Sequence, residues 1–213
     1  EKIALVGPGA QSQDILGAWS WQGKKEEAIS LVAGAQKLTT NLLVAQEPFD
    51  YFEPTAAAIE EALTLASQAD KVVVALGETD WMSGEAASRS DIRLPEKQLA
   101  VVAQIIEKNP NVVVTVYSGR PLDLQEIDVA KGIVQAWQPG TEGGNALAEI
   151  LWGEYNPSGR LSMSFPETVG QVPIFYNVDN TGRPYESAPE EKYVSKYLDV
   201  FFQAEDGIRD QQQ

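Results

Sequence analysis

Two glutamates stand where their surroundings suit them to chemistry. Residues 77–98 read Gly77-Glu78-Thr79-Asp80-Trp81-Met82-Ser83-Gly84-Glu85-Ala86-Ala87-Ser88-Arg89-Ser90-Asp91-Ile92-Arg93-Leu94-Pro95-Glu96-Lys97-Gln98. The apolar run Val72-Val73-Val74-Ala75-Leu76 leads in, and an amphipathic helical pattern follows. Glu78 and Glu85 are therefore expected on a long loop at the C-terminal end of a buried strand. In open α/β sheets that edge is where ligands bind. A carboxyl group held there can give and take a proton or act as a nucleophile.

Other chemistries are closed to this chain. Its 213 residues include no cysteine and no histidine. That excludes Ser-His-Asp and Cys-His sites, thiol catalysis, disulfides and thiolate zinc sites. Carboxylates, hydroxyls, Lys and Arg remain. No metal site and no cofactor is expected. The 31 acidic and 16 basic residues give a net charge of −15, which disfavours nucleic acid and anionic membrane surfaces. No apolar run approaches the length of a membrane-spanning helix, and no signal peptide is visible. The chain opens with Glu1 directly before a strand, so the front of the gene product is expected to be missing.

The elements that must position the two glutamates can be read from periodicity. Strands are expected at Ile3 to Val6, Lys37 to Val44, Lys71 to Leu76, Val112 to Tyr117, Gly132 to Trp137 and Leu161 to Phe165. Helices are expected at Glu26 to Ala35, Thr55 to Ala66, Pro95 to Lys108 and Gly143 to Leu151. In the second of these, Ile59, Leu63 and Ala66 form the apolar side. In the third, Leu99, Val102, Ile105 and Ile106 do, and Pro95 suits a first turn. This alternation predicts an α/β fold with a mainly parallel central sheet and helices on both faces, an α/β sandwich. Gly7-Pro8-Gly9 hints at a dinucleotide turn, but no glycine stands at position 12, so the G-x-G-x-x-G pattern fails. Thr141-Glu142-Gly143-Gly144 opens a helix. Its glutamate argues against anion binding, and capping with close packing is the better reading.

Four segments together resemble the C-terminal α/β domain of glycoside hydrolase family 3, the β-glucosidase-type enzymes. The first is Ile3-Ala4-Leu5-Val6-Gly7-Pro8 with Gly17-Ala18-Trp19-Ser20. The second is Gly77-Glu78 with Glu85, Ser88, Arg89 and Leu94-Pro95-x-x-Gln98. The third is Gly119-Arg120-Pro121-Leu122. The fourth runs from Pro139-Gly140-Thr141-Glu142-Gly143-Gly144-Asn145-Ala146 to Gly153-Glu154-Tyr155-Asn156-Pro157-Ser158-Gly159-Arg160-Leu161 and Ser164-Phe165-Pro166. The resemblance spans roughly residues 2 to 199. Asn180-Thr181-Gly182-Arg183-Pro184-Tyr185 and Lys192-Tyr193 are similar to the bacterial periplasmic-type members.

The resemblance implies a division of labour. A preceding barrel domain supplies an aspartate nucleophile and most sugar contacts, and this domain supplies the acid/base carboxylate for retaining hydrolysis. By its distance from Leu94-Pro95, Glu85 matches that carboxylate; the plainer reading is an exposed loop glutamate. Glu78 is the alternative, and its plainer reading is a structural carboxylate. Trp19, and more weakly Trp81, are candidates for stacking on a sugar; the ordinary alternative for each is packing. Arg89 could pair with Glu85 or Asp91, or could simply fix the loop as a surface ion pair.

The family implies a β-glucoside or short β-linked oligosaccharide as substrate, a periplasmic or secreted location, and an inactive fragment when this domain stands alone. A β-xylosidase of the same family is the alternative. A non-catalytic sugar-binding or interaction module is the alternative of a different class. The expected domain limits are 1–166 for the α/β domain and 167–199 for an extended connector towards a fibronectin-like domain. Residues 200–213 read as a non-native tail, because Gln203 to Asp210 match the translation of a common sequencing adapter.

Overall fold

Runs of β-branched and aliphatic residues build the sheet. In the computed structural model, which describes residues 1–177, strands β1 (Ile3–Val6), β2 (Leu42–Val44), β3 (Lys71–Gly77), β4 (Val112–Tyr117) and β5 (Gly132–Trp137) form one sheet. Its order is β2-β1-β3-β4-β5, and every pairing is parallel. A parallel sheet is covered on both faces, which is why its strands read as continuous apolar runs. Side chains alternate in the expected way. Ala4, Val6, Val72, Val74, Leu76, Val112, Val114 and Val116 enter one core. Leu5, Val73, Ala75 and Tyr117 enter the other.

Helices α2 (Ala56–Gln68) and α3 (Glu96–Lys108) cover the first face. Ala58, Ala62 and Ala66 are the fully buried stripe of α2. Small side chains bring this helix close to the strands, and the expected Ile59 and Leu63 flank the stripe, half-buried. Helices α1 (Leu31–Leu38) and α4 (Gly143–Leu151) cover the second face. They approach so closely that a Cβ at Gly34 would lie 2.5 Å from the Gly144 carbonyl carbon. Only glycine fits that crossing.

Three local expectations shift. The first helix begins at Leu31, not Glu26, because the Ser30 hydroxyl accepts from the Ala33 amide and fixes the N-cap there. Lys25–Glu27 form only a 3-10 turn. The second strand is short, since Lys37 and Leu38 complete α1 and only Leu42–Val44 pair with β1. Residues 161–165 form no strand. Leu161 and Met163 face solvent, while Phe165 is fully buried and packs on Trp137 with ring centroids 5.7 Å apart. At α4 the close packing is present, with the Gly144 amide donating to the Ile29 carbonyl at 2.9 Å. The N-cap residue Glu142, however, makes no side-chain cap. The later connector, its Asn180 to Tyr185 and Lys192-Tyr193 matches and the tail all lie outside the described residues.

Candidate active site

The strand order reverses direction at β1. From β1 the chain crosses through α1 to β2 on one side, then returns through α2 to β3 on the other. The crevice beyond the C-terminal ends of β1 and β3 is the topological switch point of the sheet. Three elements fix the loop that leaves β3 there. From α3, the fully buried Gln98 accepts from the Gly77 amide and donates to the Gly77 carbonyl, both at 2.9 Å. It also donates to the Tyr51 carbonyl at 2.9 Å. From the segment after β1, Asp14 accepts from the Asp80 amide at 3.1 Å. Lys25 bridges the two aspartates, 2.8 Å from each. Burial pulls the Lys25 ammonium down, but Asp14 and Asp80 more than offset this and hold it above the ordinary lysine value.

Glu78 turns inward at the strand end and is only 4% exposed. One carboxylate oxygen pairs with Arg89 Nη1. The other lies 3.7 Å from Arg120 Nε, an ion pair without a hydrogen bond. Burial pushes the Glu78 carboxyl above the ordinary carboxylate range. Arg89, Arg120 and the Gly119 amide pull the other way without cancelling that cost. The two guanidinium groups then reach into the loop. Arg120 Nη2 donates to the Met82 and Ala87 carbonyls at 2.5 and 2.7 Å. Arg89 donates to the carbonyls of Asp91 and Arg93, both at 2.9 Å. Arg89 thus joins neither Glu85 nor the Asp91 carboxylate. Asp91 pairs with Arg93 instead, and that contact lowers its carboxyl to about 2.

Glu85 sits at the tip of the same loop and is exposed. Its side chain has no hydrogen bond or ion pair among the described residues. The chain turns sharply here, with Gly84 at φ +134°, Ala86 at φ +58° and the Ala87 amide donating to the Gly84 carbonyl at 3.3 Å. Ala86 holds a left-handed conformation that costs a non-glycine residue about 1–2 kcal/mol. Strain of this kind concentrates at sites where a side chain must be aimed. Trp19 stands beside the turn: a Cβ at Gly84 would lie 3.0 Å from Ala18 Cβ and 3.4 Å from Trp19 Nε1. Trp19 is 70% exposed and Trp81 66% exposed. Trp81 leans on Phe52, ring centroids 5.7 Å apart and planes tilted by 31°.

The structure therefore separates the two glutamates by environment. Glu78 is buried between two guanidinium groups, and Glu85 is presented to solvent on a turn beside an indole. An exposed carboxyl on a hydrogen-bonded turn can exchange a proton with a bound molecule, and exposed aromatic faces can pack on the apolar faces of a sugar. Neither tryptophan is consumed by core packing.

Several site residues are not singled out by sequence reasoning. Arg120 is visible there only as part of a Gly-Arg-Pro motif after a β-branched run, with no role attached. Asp14, Lys25 and Asp80 carry no local signal, because their cluster joins three segments distant in sequence.

Comparison with known proteins adds an independent line. The family model for the glycosyl hydrolase family 3 C-terminal domain matches residues 1–203. The chain is 38% identical to the periplasmic β-glucosidase of Salmonella typhimurium, covering 92% of this chain and 29% of that protein. It superposes on the crystal structure of a β-glucosidase from Listeria innocua in complex with glucose, with a TM-score of 0.86 and 40% identity. That alignment covers 93% of this chain and 28% of the Listeria chain. A family 3 exo-β-xylosidase in complex with a xylobiose aziridine probe matches at 28% identity and a TM-score of 0.71, covering 87% of this chain and 24% of that one. The chain thus spans less than a third of the length of each of these proteins.

Proposed function

Because the chain belongs to glycosyl hydrolase family 3, as its C-terminal domain, we propose that it forms one part of the active site of an exo-acting, retaining β-glucosidase. Glu85 is the general acid/base of that reaction. The observation that carries this is the setting of Glu85: an exposed carboxyl on a strained, braced turn at the switch point of a parallel sheet, beside the exposed Trp19. Glu78 does not suit the role, since it is buried and both of its oxygens face guanidinium groups.

The nucleophile comes from an N-terminal barrel domain. Retaining hydrolysis needs the two carboxyl groups about 5–5.5 Å apart across the scissile bond. A barrel closing over the Glu85 turn would exclude water from it, as a proton donor working near neutral pH requires. Trp19, and secondarily Trp81, pack on the sugar beyond the cleavage point. The substrate is a β-glucoside or a short β-linked oligosaccharide, and the periplasmic Salmonella relative favours a periplasmic location. No helix among the described residues is long and apolar enough to cross a membrane. The exo-β-xylosidase match supports β-xylosidase as the second reading. Its identity is lower than that of the Salmonella and Listeria glucosidases, which keeps glucose first.

The isolated chain should not hydrolyse nitrophenyl β-glucoside above buffer, because it holds the proton donor without the nucleophile. In the full-length enzyme, Glu85→Gln should cost about 10²–10⁴ in rate on substrates with poor leaving groups. It should cost much less on activated aryl glucosides, which depart without protonation. If Glu78→Gln showed that dependence and Glu85→Gln did not, the proton donor would be Glu78.

A further inference from the structure

The Glu85 turn is held at its base by one side chain. A single guanidinium nitrogen, Arg120 Nη2, donates to the Met82 carbonyl before the turn and to the Ala87 carbonyl after it, at 2.5 and 2.7 Å. Those two carbonyls bracket the five residues 83–87 that carry Glu85 at their centre. We propose that Arg120, anchored by the buried Glu78 and assisted by Arg89, is the positioning residue that closes the base of the Glu85 turn and fixes the aim of its carboxyl group. This inference rests on the reading of Glu85 as proton donor. It assigns roles to three residues that do not themselves touch substrate.

The geometry supports a division of tasks among the three. Arg120 arises from the loop after β4, and Glu78 from the end of β3. The two strands are paired in register up to Gly77 and Tyr117, so the anchor belongs to the rigid sheet. Arg89 pairs with the same carboxylate and ties down the descending arm of the loop through the Asp91 and Arg93 carbonyls. One anion thus fixes two forks, and the two forks fix four loop carbonyls. The planar guanidinium suits this task, because its donors leave in fixed directions: in Arg120, Nη2 serves two carbonyls while Nε faces the carboxylate. An ammonium carries the same charge but offers no such fork. Burying Glu78 works against its charged form. A sheet held only for stability has no need of such a group, whereas a braced turn does.

The test has three readouts. In the wild-type chain, the Arg120 guanidinium protons should give resolved NMR signals that exchange slowly with water; exchange as fast as that of a free arginine overturns the clamp. In Arg120→Lys, with strand amides unperturbed, the backbone order parameters of Gly84 to Ala87 should fall from about 0.85 to below about 0.6. Unchanged rigidity there also overturns it. In the full-length enzyme, Arg120→Lys should lose up to about 10²-fold in kcat on poor leaving groups, the scale expected for a misplacement of about 1 Å. KM and the rate on activated aryl glucosides should change little. An equal loss on both substrate types, alongside a leaving-group-dependent Glu85→Gln, overturns the positioning role. If the turn loosens but Glu85→Gln itself shows no leaving-group dependence, the clamp stands and the proton-donor reading is what fails, and the positioning role with it.

Discussion

Gln98→Leu isolates how strongly α3 holds the start of the functional loop. Leucine matches glutamine closely in volume, so the fully buried site gains no large cavity, and the change removes hydrogen bonding alone. Three bonds are lost, each 2.9 Å long: from the Gly77 amide, to the Gly77 carbonyl and to the Tyr51 carbonyl. Gly77 is buried, so its amide is left without water or partner, a penalty of about 1–3 kcal/mol. The two carbonyls lose bonds worth about 1 kcal/mol each. The expected destabilisation is therefore about 3–5 kcal/mol. Urea unfolding followed by tryptophan fluorescence should show a lower midpoint at an unchanged slope. A loss below about 1 kcal/mol would mean that Gln98 does not hold Gly77, and the account of how the loop is launched would be wrong.

Two further outcomes follow from the packing and the charges. Phe165→Ala should cost about 3–5 kcal/mol, the usual range for emptying a fully buried aromatic site. Thermal or urea unfolding of the chain checks it, and a near-neutral result would mean that the segment after α4 is not part of the first core. For Glu78 the folded carboxyl lies above its unfolded value of about 4.3. Its contribution to stability is therefore fully present below that pH and is lost as pH rises through the folded value. Glu78→Gln has no such loss, so the variant should gain on the wild type as pH rises from about 4 through the folded value and level off above it. Parallel stability–pH curves for the two proteins would contradict this.

The sheet was legible because each strand is a short apolar run and each helix carries an apolar face. Val72 to Leu76 and Val112 to Tyr117 need no tertiary information to be read. Boundaries failed where tertiary contacts decide. Residues 26–30 have helical composition, yet the Ser30 cap and the docking of Ile29 against Thr141 start the helix later. Phe165 looked like strand because it is apolar, but one aromatic ring filling a hole beside Trp137 leaves no mark of periodicity. The site shows the same divide. Glu85 and Glu78 could be placed on one loop from the sequence. That one would be sealed between two arginines and the other left open depends on Arg120, which arrives from a different strand. Ion pairing between distant segments has no sequence period, so neither the pairing of Arg89 with Glu78 nor the Asp14–Lys25–Asp80 cluster could be read in advance.

In the proposed reaction Glu85 gives and takes the proton, with the configuration of the sugar retained. Azide rescue of the full-length Glu85→Ala enzyme tests it most directly. With an activated aryl β-glucoside the glycosyl-enzyme should form without acid assistance and then stall, because no base remains to activate water. Azide needs no base, so it should restore turnover and give β-glucosyl azide with the configuration of the substrate retained. Turnover unaffected by azide, or an azide product of inverted configuration, would contradict the assignment of Glu85.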